Sequence, residues 1–219
     1  MYKTLITFIA VTLLMSGCVS FREKAIDYQS ITDIKAQPVA YTLHKKPDFV
    51  AMTAGKTAFA TLGYSSMTSE GNKIITENNV ADPAEIIANR LIAALQDAYN
   101  IRPVLQPIMV DKNDALKIAV DARTSTKFII DVQTIDWGFK HFPSDRDRYG
   151  VIYIAKARLI NIQNKTVVAE GFCKQIPERQ ERAPTYEDLL SNRAARLKSA
   201  LNNAAATCTR LIKAQMFAL

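Results

Sequence analysis

The run Val151-Ile152-Tyr153-Ile154-Ala155-Lys156-Ala157-Arg158-Leu159-Ile160-Asn161-Ile162-Gln163-Asn164-Lys165-Thr166-Val167-Val168-Ala169-Glu170-Gly171-Phe172-Cys173-Lys174-Gln175 decides the fold. Two segments rich in β-branched residues flank Asn161–Lys165, whose composition is turn chemistry. The run therefore reads as a β-hairpin, with strands over Val151–Ile162 and Thr166–Gln175. Lys127–Trp137 has the same character and supplies a third strand, joined to the hairpin by a longer loop, Gly138–Gly150. Together they make a three-stranded antiparallel meander.

Downstream, Thr185 and Asp188 have the spacing of a capping box that opens a long helix from Tyr186 to about Phe217. Leu190, Ala194, Leu197, Leu201, Ala204, Cys208 and Leu211 recur at intervals of three and four, an apolar stripe expected to face the sheet. On the third strand the period of two places Val167, Ala169, Gly171 and Cys173 on one face. Those small residues would let a helix approach closely. Both sulfurs are thus expected between helix and sheet.

Upstream, Asp82-Pro83-Ala84-Glu85 is the clearest helix start in the chain: an N-cap, proline at the first helical position and a glutamate to complete a capping box. Ile87, Leu91, Leu95 and Ala98 carry that helix to Asn100. Arg102–Leu105 reads as a short strand, and Lys112–Arg123 as a second helix. Lys56–Tyr64 reads as a first strand, with Ile74 and Ile75 adding a short one. The expected class is α+β (mixed α/β): a β-α-β-α run, then the meander, then a long C-terminal helix packed on the sheet. This single domain is expected over 51–219. Residues 19–50 mix charge, Pro38 and Pro47 without sustained periodicity, and read as a tether holding at most one short strand, Val39–Leu43. Thirty flexible residues would span roughly 30 Å.

The N-terminus sets the compartment. Lys3, the apolar run Leu5–Met15 and Ser16-Gly17 have the layout of a secretory signal, too short to span a bilayer. Leu13-Leu14-Met15-Ser16-Gly17-Cys18 resembles the lipobox of bacterial lipoproteins, with Met15 where leucine is usual. The resemblance implies that 1–17 is a cleaved signal peptide and that Cys18 carries a diacylglycerol and an acylated amino group. It implies in turn that 18–50 is a lipidated N-terminus and tether. Val19, in place of aspartate, implies sorting to the outer membrane with the domain in the periplasm.

Two cysteines then remain, Cys173 and Cys208. An even pair in an oxidising compartment suggests a disulfide, worth about 3–4 kcal/mol for a loop of this length. Two buried free thiols are the other reading. Apolar content of 48% and charge of 22% exclude a disordered or membrane-embedded chain. The formal charge is +7, in scattered residues rather than blocks, which fits a solvated basic surface. Anionic headgroups or cell-wall polymer are the alternative partners. The compartment disfavours nucleic acid.

The lipobox, the Asp82-Pro83 helix start, the strand Phe128-Ile129-Ile130-Asp131-Val132 and the hairpin Arg158–Glu170 together resemble the periplasmic fold of the TolB amino-terminal domain, CsgG and LpoB. The similarity covers roughly 55–175 and is one of pattern, without a diagnostic motif. It implies a part in assembling or regulating an envelope machine through a protein partner, with no enzyme activity and no cofactor. No functional residue transfers.

Motifs of catalysis are missing. Ala54-Gly55-Lys56-Thr57 has Val50 where a phosphate-binding loop needs glycine. Gly63-Tyr64-Ser65 continues as Ser66-Met67, so no nucleophile elbow forms. His44 falls in the tether. His141 lies near Ser144 and Asp145 but has nothing buried to orient it, and no metal spacing occurs. Asp131 and Asp136, at odd separation in one strand, are expected on opposite faces. The segment Trp137–Gly150 stands out by composition. Trp137, Phe139, His141, Phe142, Arg146, Arg148 and Tyr149 have the makeup of an interface hot spot, with sugar stacking on Trp137 or Tyr149 as a peptidoglycan-facing variant. The competing reading is a structured hairpin loop whose aromatics cover the end of the sheet and whose Arg and Asp pair with each other.

Overall fold

The computed structural model describes residues 23–57, 62–111, 118, 126–177 and 182–219. Among them are five helices, α1 (Tyr28–Ile34), α2 (Ala54–Thr57), α3 (Leu62–Glu77), α4 (Pro83–Tyr99) and α5 (Tyr186–Phe217). The strands are β1 (Pro38–His44), β2 (Val50–Met52), β3 (Arg102–Pro103), β4 (Ile108–Val110), β5 (Phe128–Phe142), β6 (Asp145–Asn161) and β7 (Thr166–Gln175). The sheet runs β3-β1-β5-β6-β7; β4 also pairs with β1, and β2 with β5. β5, β6 and β7 form the antiparallel meander. β1 and β2 lie end to end along β5, both parallel to it. The architecture is mixed α/β, with α4 and α5 on one face.

The large core lies between that face and the helices. Ile87, Leu91 and Leu95 of α4 and Leu197, Leu201, Cys208 and Ile212 of α5 pack against Phe128, Ile130, Tyr153, Ala155, Ala157 and Leu159. A smaller cluster of Ala40, Val110, Ile118, Ile129 and Ile160 covers the other face. The cap of α5 forms as the spacing predicts, with the Thr185 hydroxyl accepting from the Asp188 N–H and the Asp188 carboxylate from the Thr185 N–H. At α4, Asp82 accepts from Ala84 N–H at 2.9 Å and Pro83 opens the helix.

Gly171 lies directly beneath α5; a methyl there would come within 3.0 Å of Met216 Cγ and 3.1 Å of Ile212 Cγ2. The small-residue face therefore does admit a close helix, and Cys173 and Cys208 are bonded there. Val167 is an exception. The ladder slips between Leu159 and Ile160, so Val168 joins the large core and Val167 packs on the other face.

Several local expectations are corrected. The segment read as a tether contributes α1 and β1, and β1 lies between β5 and β3–β4, so the packed unit begins well before residue 51. β1 pairs on both sides and sends Val39 and Tyr41 to the large core and Ala40 to the small one, so it shows no alternation of polar and apolar residues. Ala54–Thr57 and Leu62–Glu77 are helical, so both ends of the strand expected over 56–64 fall in helices, its middle, 58–61, lying outside the described residues, and the strand expected at Ile74–Ile75 does not form. Ile74 and Ile75 instead bury on α3, with the helix set close on β2 at Gly71. The polar stretch between them hid that helix. Leu211 is 39% exposed, since the buried stripe of α5 runs through Ala205, Cys208, Ile212 and Met216. α5 is also interrupted: Asn192, Arg193 and Ala194 take φ of 51°, 55° and 55°. The helix expected over 112–123, the signal peptide 1–17 and Cys18 lie outside the described residues, apart from Ile118, which is helical and buried.

Candidate functional site

The segment 137–150 is the tip of a long hairpin. β5 continues to Phe142, Pro143 and Ser144 make the turn, and β6 starts at Asp145. The expected loop is absent because an irregularity in each strand keeps the aromatic residues on the core side. Ile135 is the extra residue where the ladder slips between Thr134 and Asp136. Beyond that bulge the odd-numbered residues turn toward the helices, and Trp137 and Phe139 enter the core. The same bulge sets Asp136 opposite Ile154, on the face of Asp131 and not across the sheet from it.

Trp137 and Phe139 are wholly buried, and Phe142 and Tyr149 nearly so. Trp137 Nε1 donates to Pro47 O at 3.0 Å. Phe49 sets its ring edge-on to Trp137 at 5.0 Å, and Phe139 stands 5.7 Å from Tyr149 and 5.9 Å from Tyr186. These contacts tie β2, the hairpin and the start of α5 together, each edge-to-face pair adding about 0.5–1.5 kcal/mol. The exposure expected of the four aromatics at a hot spot is thereby corrected. They cover the end of the sheet, as the competing reading had it. Arg146 is exposed, while His141 and Arg148 are partly so. Arg148 Nη1 donates to Ala183 O at 2.8 Å, and His141 Nδ1 lies 3.2 Å from Phe142 O.

A groove of about 430 Å³ opens beside this aromatic cluster. Its lining includes Phe142 and Tyr149, Ile176 and Pro177, and Ala200 and Asn203 of α5. Ile176 is 40% exposed there. The groove offers an apolar base with a polar rim, the general form of a binding site.

The most elaborate polar arrangement lies on the opposite face of the sheet and escaped the sequence reading. Asp131 is 1% exposed. Its Oδ1 accepts from Thr42 Oγ1 at 2.7 Å and lies 2.6 Å from His44 Nε2; its Oδ2 accepts from Arg158 Nε at 2.9 Å and Nη2 at 2.5 Å. Burial pushes the Asp131 carboxyl up, but the His44 hydrogen bond, the Arg158 charge and the Thr42 hydroxyl outweigh it and hold the group at about 2. On the helix side, the Asp82 carboxylate accepts from Thr134, whose hydroxyl is 3.0 Å from Tyr153 OH. Burial raises Asp82, and it raises Tyr153 too, with help from the Asp82 charge.

A signal for the Asp131 network was present in the sequence. Asp131 is a charge inside the otherwise apolar Phe128–Val132, and Ala155–Ile160 carries Lys156 and Arg158 among apolar residues; charges are almost never fully buried unpaired. Their pairing depends on register, which the hairpin turn sets. His44 could not be found that way, because β1 comes from a distant stretch.

Among the described residues no three His, Cys, Asp or Glu side chains are placed to hold a metal ion, and no helix is long and apolar enough to cross a membrane.

No family model matches the chain. No curated protein matches it either. Solved structures share its arrangement loosely. The PelC dodecamer from Paraburkholderia phytofirmans is 13% identical over 90% of this chain and 95% of that one, with a TM-score of 0.36. Lipoprotein GNA1162 from Neisseria meningitidis is 14% identical over 78% of this chain and 99% of that one, at 0.26. The LpoB C-terminal domain from Escherichia coli is 8% identical over 68% and 94%, at 0.19. At TM-scores this low the likenesses carry no functional argument.

Proposed function

We propose that this chain is an exported, lipid-anchored accessory protein of the bacterial envelope, acting by holding a protein partner rather than by catalysis. The observation that carries export is the disulfide Cys173–Cys208, buried between β7 and α5. Disulfides persist in oxidising compartments and are rare in the cytosol. Export agrees with the signal-like N-terminus, with acylation at Cys18 and with outer-membrane sorting through Val19.

The partner site is the groove lined by Phe142 and Tyr149, with Arg146, His141 and Arg148 on the hairpin tip beside it. Its depth suits one or two apolar side chains of a partner inside a polar rim. A non-catalytic role is supported by the buried acids: Asp131 spends both oxygens on internal donors, and Asp82 Oδ1 accepts from Ala84 N–H and the Thr134 hydroxyl.

Two measurements test this reading. Mass spectrometry of the protein from its native envelope is expected to show cleavage before Cys18 and an acyl adduct; an intact initiator methionine without adduct refutes the anchor. Ile176→Asp with Ala200→Arg is expected to leave the circular dichroism spectrum unchanged and to abolish capture of a partner from crosslinked envelopes. Undiminished capture discards the groove.

A second reading, binding of cell-wall glycan or lipid headgroups, is favoured by the basic surface of α5.

A further inference from the structure

The packed chain begins almost at the anchor. Lys24 forms an antiparallel bridge to Glu170 on the outer edge of β7, with both backbone hydrogen bonds at 2.8 Å. Lys24 Nζ donates to Val167 O at 2.6 Å, Gln215 Nε2 donates to Glu23 at 2.6 Å, and Ile26 N–H donates to Met216 O at 2.8 Å. The chain is thus tied down on the flank shared by β7 and the last turns of α5. Five residues lie between Cys18 and Lys24, six steps along the chain and a reach of at most about 20 Å. A lipid on Cys18 would therefore hold this flank close to the headgroups. A 30-residue tether does not exist to hold it away.

The α5 helix is cationic along its length. From Arg193 to its end the chain carries Arg193, Arg196, Lys198, Arg210 and Lys213 and no carboxylate side chain. Arg210 and Lys213 share a shallow cleft of about 330 Å³ with Arg90 of α4, against one acid, Asp97. Two acids lie on the tied-down edge itself, Glu23, which accepts from Gln215, and Glu170 of β7, opposite Lys24. Leu211, next to Arg210 in the helix, is 39% exposed.

From these two independent observations we infer that the outer face of α5 is a membrane-docking surface, with Arg90, Arg210 and Lys213 set on the anionic headgroups of the bilayer that holds the lipid. The inference rests on acylation at Cys18 for its orientation. It makes the domain a rider on the membrane, with the partner groove near the start of α5 and the membrane contact near its end.

The test uses the mature chain with Cys18→Ser, which keeps every described residue and lacks the acyl groups. It is sedimented with vesicles of phosphatidylcholine and phosphatidylglycerol (3:1), with pure phosphatidylcholine vesicles, and with purified sacculi. Pelleting is expected with the anionic vesicles alone, and is expected to fade as salt rises. Each basic residue at an anionic surface contributes about fivefold to partitioning. Arg210→Glu with Lys213→Glu should therefore lower partitioning by on the order of 20-fold or more. Lys45→Glu with Lys73→Glu makes the same charge change at exposed positions elsewhere and should lower it far less. Equal loss in both pairs, absence of pelleting with anionic vesicles, or pelleting with sacculi in place of vesicles overturns the docking surface. Failure of the anchor itself shows separately, as a native Cys18 without acyl mass.

Discussion

Arg158 stands directly opposite Asp131 in the β5–β6 ladder and sends two hydrogen bonds to one carboxylate oxygen, leaving the other oxygen to Thr42 and His44 of β1. One aspartate thereby joins three strands, on the face of the sheet that α4 and α5 do not cover. Neither member of the pair is more than 5% exposed. Such an arrangement is costly to break from one side, because the survivor is left as a buried, uncompensated charge.

Removal of one partner should show that cost. Asp131→Asn or Arg158→Met is expected to lower unfolding free energy by about 3–5 kcal/mol. Replacing Asp131, Arg158 and His44 together by apolar residues of similar volume should recover most of the loss. Urea denaturation of the single and combined variants measures both; a small effect in the singles would mean that solvent reaches the pair.

Acid should remove the same stabilisation. The folded Asp131 carboxyl lies at about 2, below its ordinary 3.8. A carboxyl lowered by folding contributes stability that is complete above its unfolded value and disappears as pH falls through its folded value. The contribution, about 2 kcal/mol, is expected to be whole at pH 5 and largely gone at pH 2. The difference between wild type and Asp131→Asn, followed by urea denaturation at pH 5, 3 and 2, isolates it. It should shrink as pH falls.

The disulfide joins residues 35 apart in sequence. Cys173→Ala with Cys208→Ala is expected to cost about 3–4 kcal/mol. Thiol labelling of denatured, unreduced protein purified from the periplasm should find neither sulfur, and labelling of both would refute the bridge.

Gly138 tests the close seating of β2 on β5. A β-carbon at that position would come within 2.2 Å of the Val50 carbonyl oxygen, a backbone atom that cannot step aside alone. Gly138→Ala is expected to destabilise by about 1–3 kcal/mol or more and to loosen Trp137, whose indole N–H bonds to Pro47 O just before β2. Loss of the native tryptophan emission maximum at moderate urea reads the second effect. Unchanged stability would mean that β2 is not held at this spacing.

Legibility followed the range of the forces involved. The meander, the helix start at Asp82-Pro83, the cap at Thr185 and the convergence of the two sulfurs were readable because each depends on residues a few positions apart, or on a period of two or near four. α3 was missed because Ser65, Ser66, Thr68, Ser69 and Gly71 dilute its apolar face. The burial of the aromatics in 137–149 was not legible because composition alone does not report burial. Aromatic residues with arginine look alike at an exposed interface and at the end of a core, and the single residue inserted at Ile135 determined which it was.

The sequence by itself determined the class of the fold, the meander with its long covering helix, the pairing of Cys173 with Cys208 as the leading possibility, and a lipobox-like N-terminus. These are matters of local pattern and of chemistry next to one peptide bond. Only the tertiary structure decided that His44 and Thr42 meet Asp131, that Trp137 and Phe139 face inward, and that the chain is packed from Lys24 onward. The first depends on parallel pairing between segments some ninety residues apart, as between His44 and Asp131, the second on the bulge at Ile135 in the antiparallel β5–β6 ladder, and the third on an antiparallel bridge from Lys24 to Glu170. No periodicity within any of these segments carries that information.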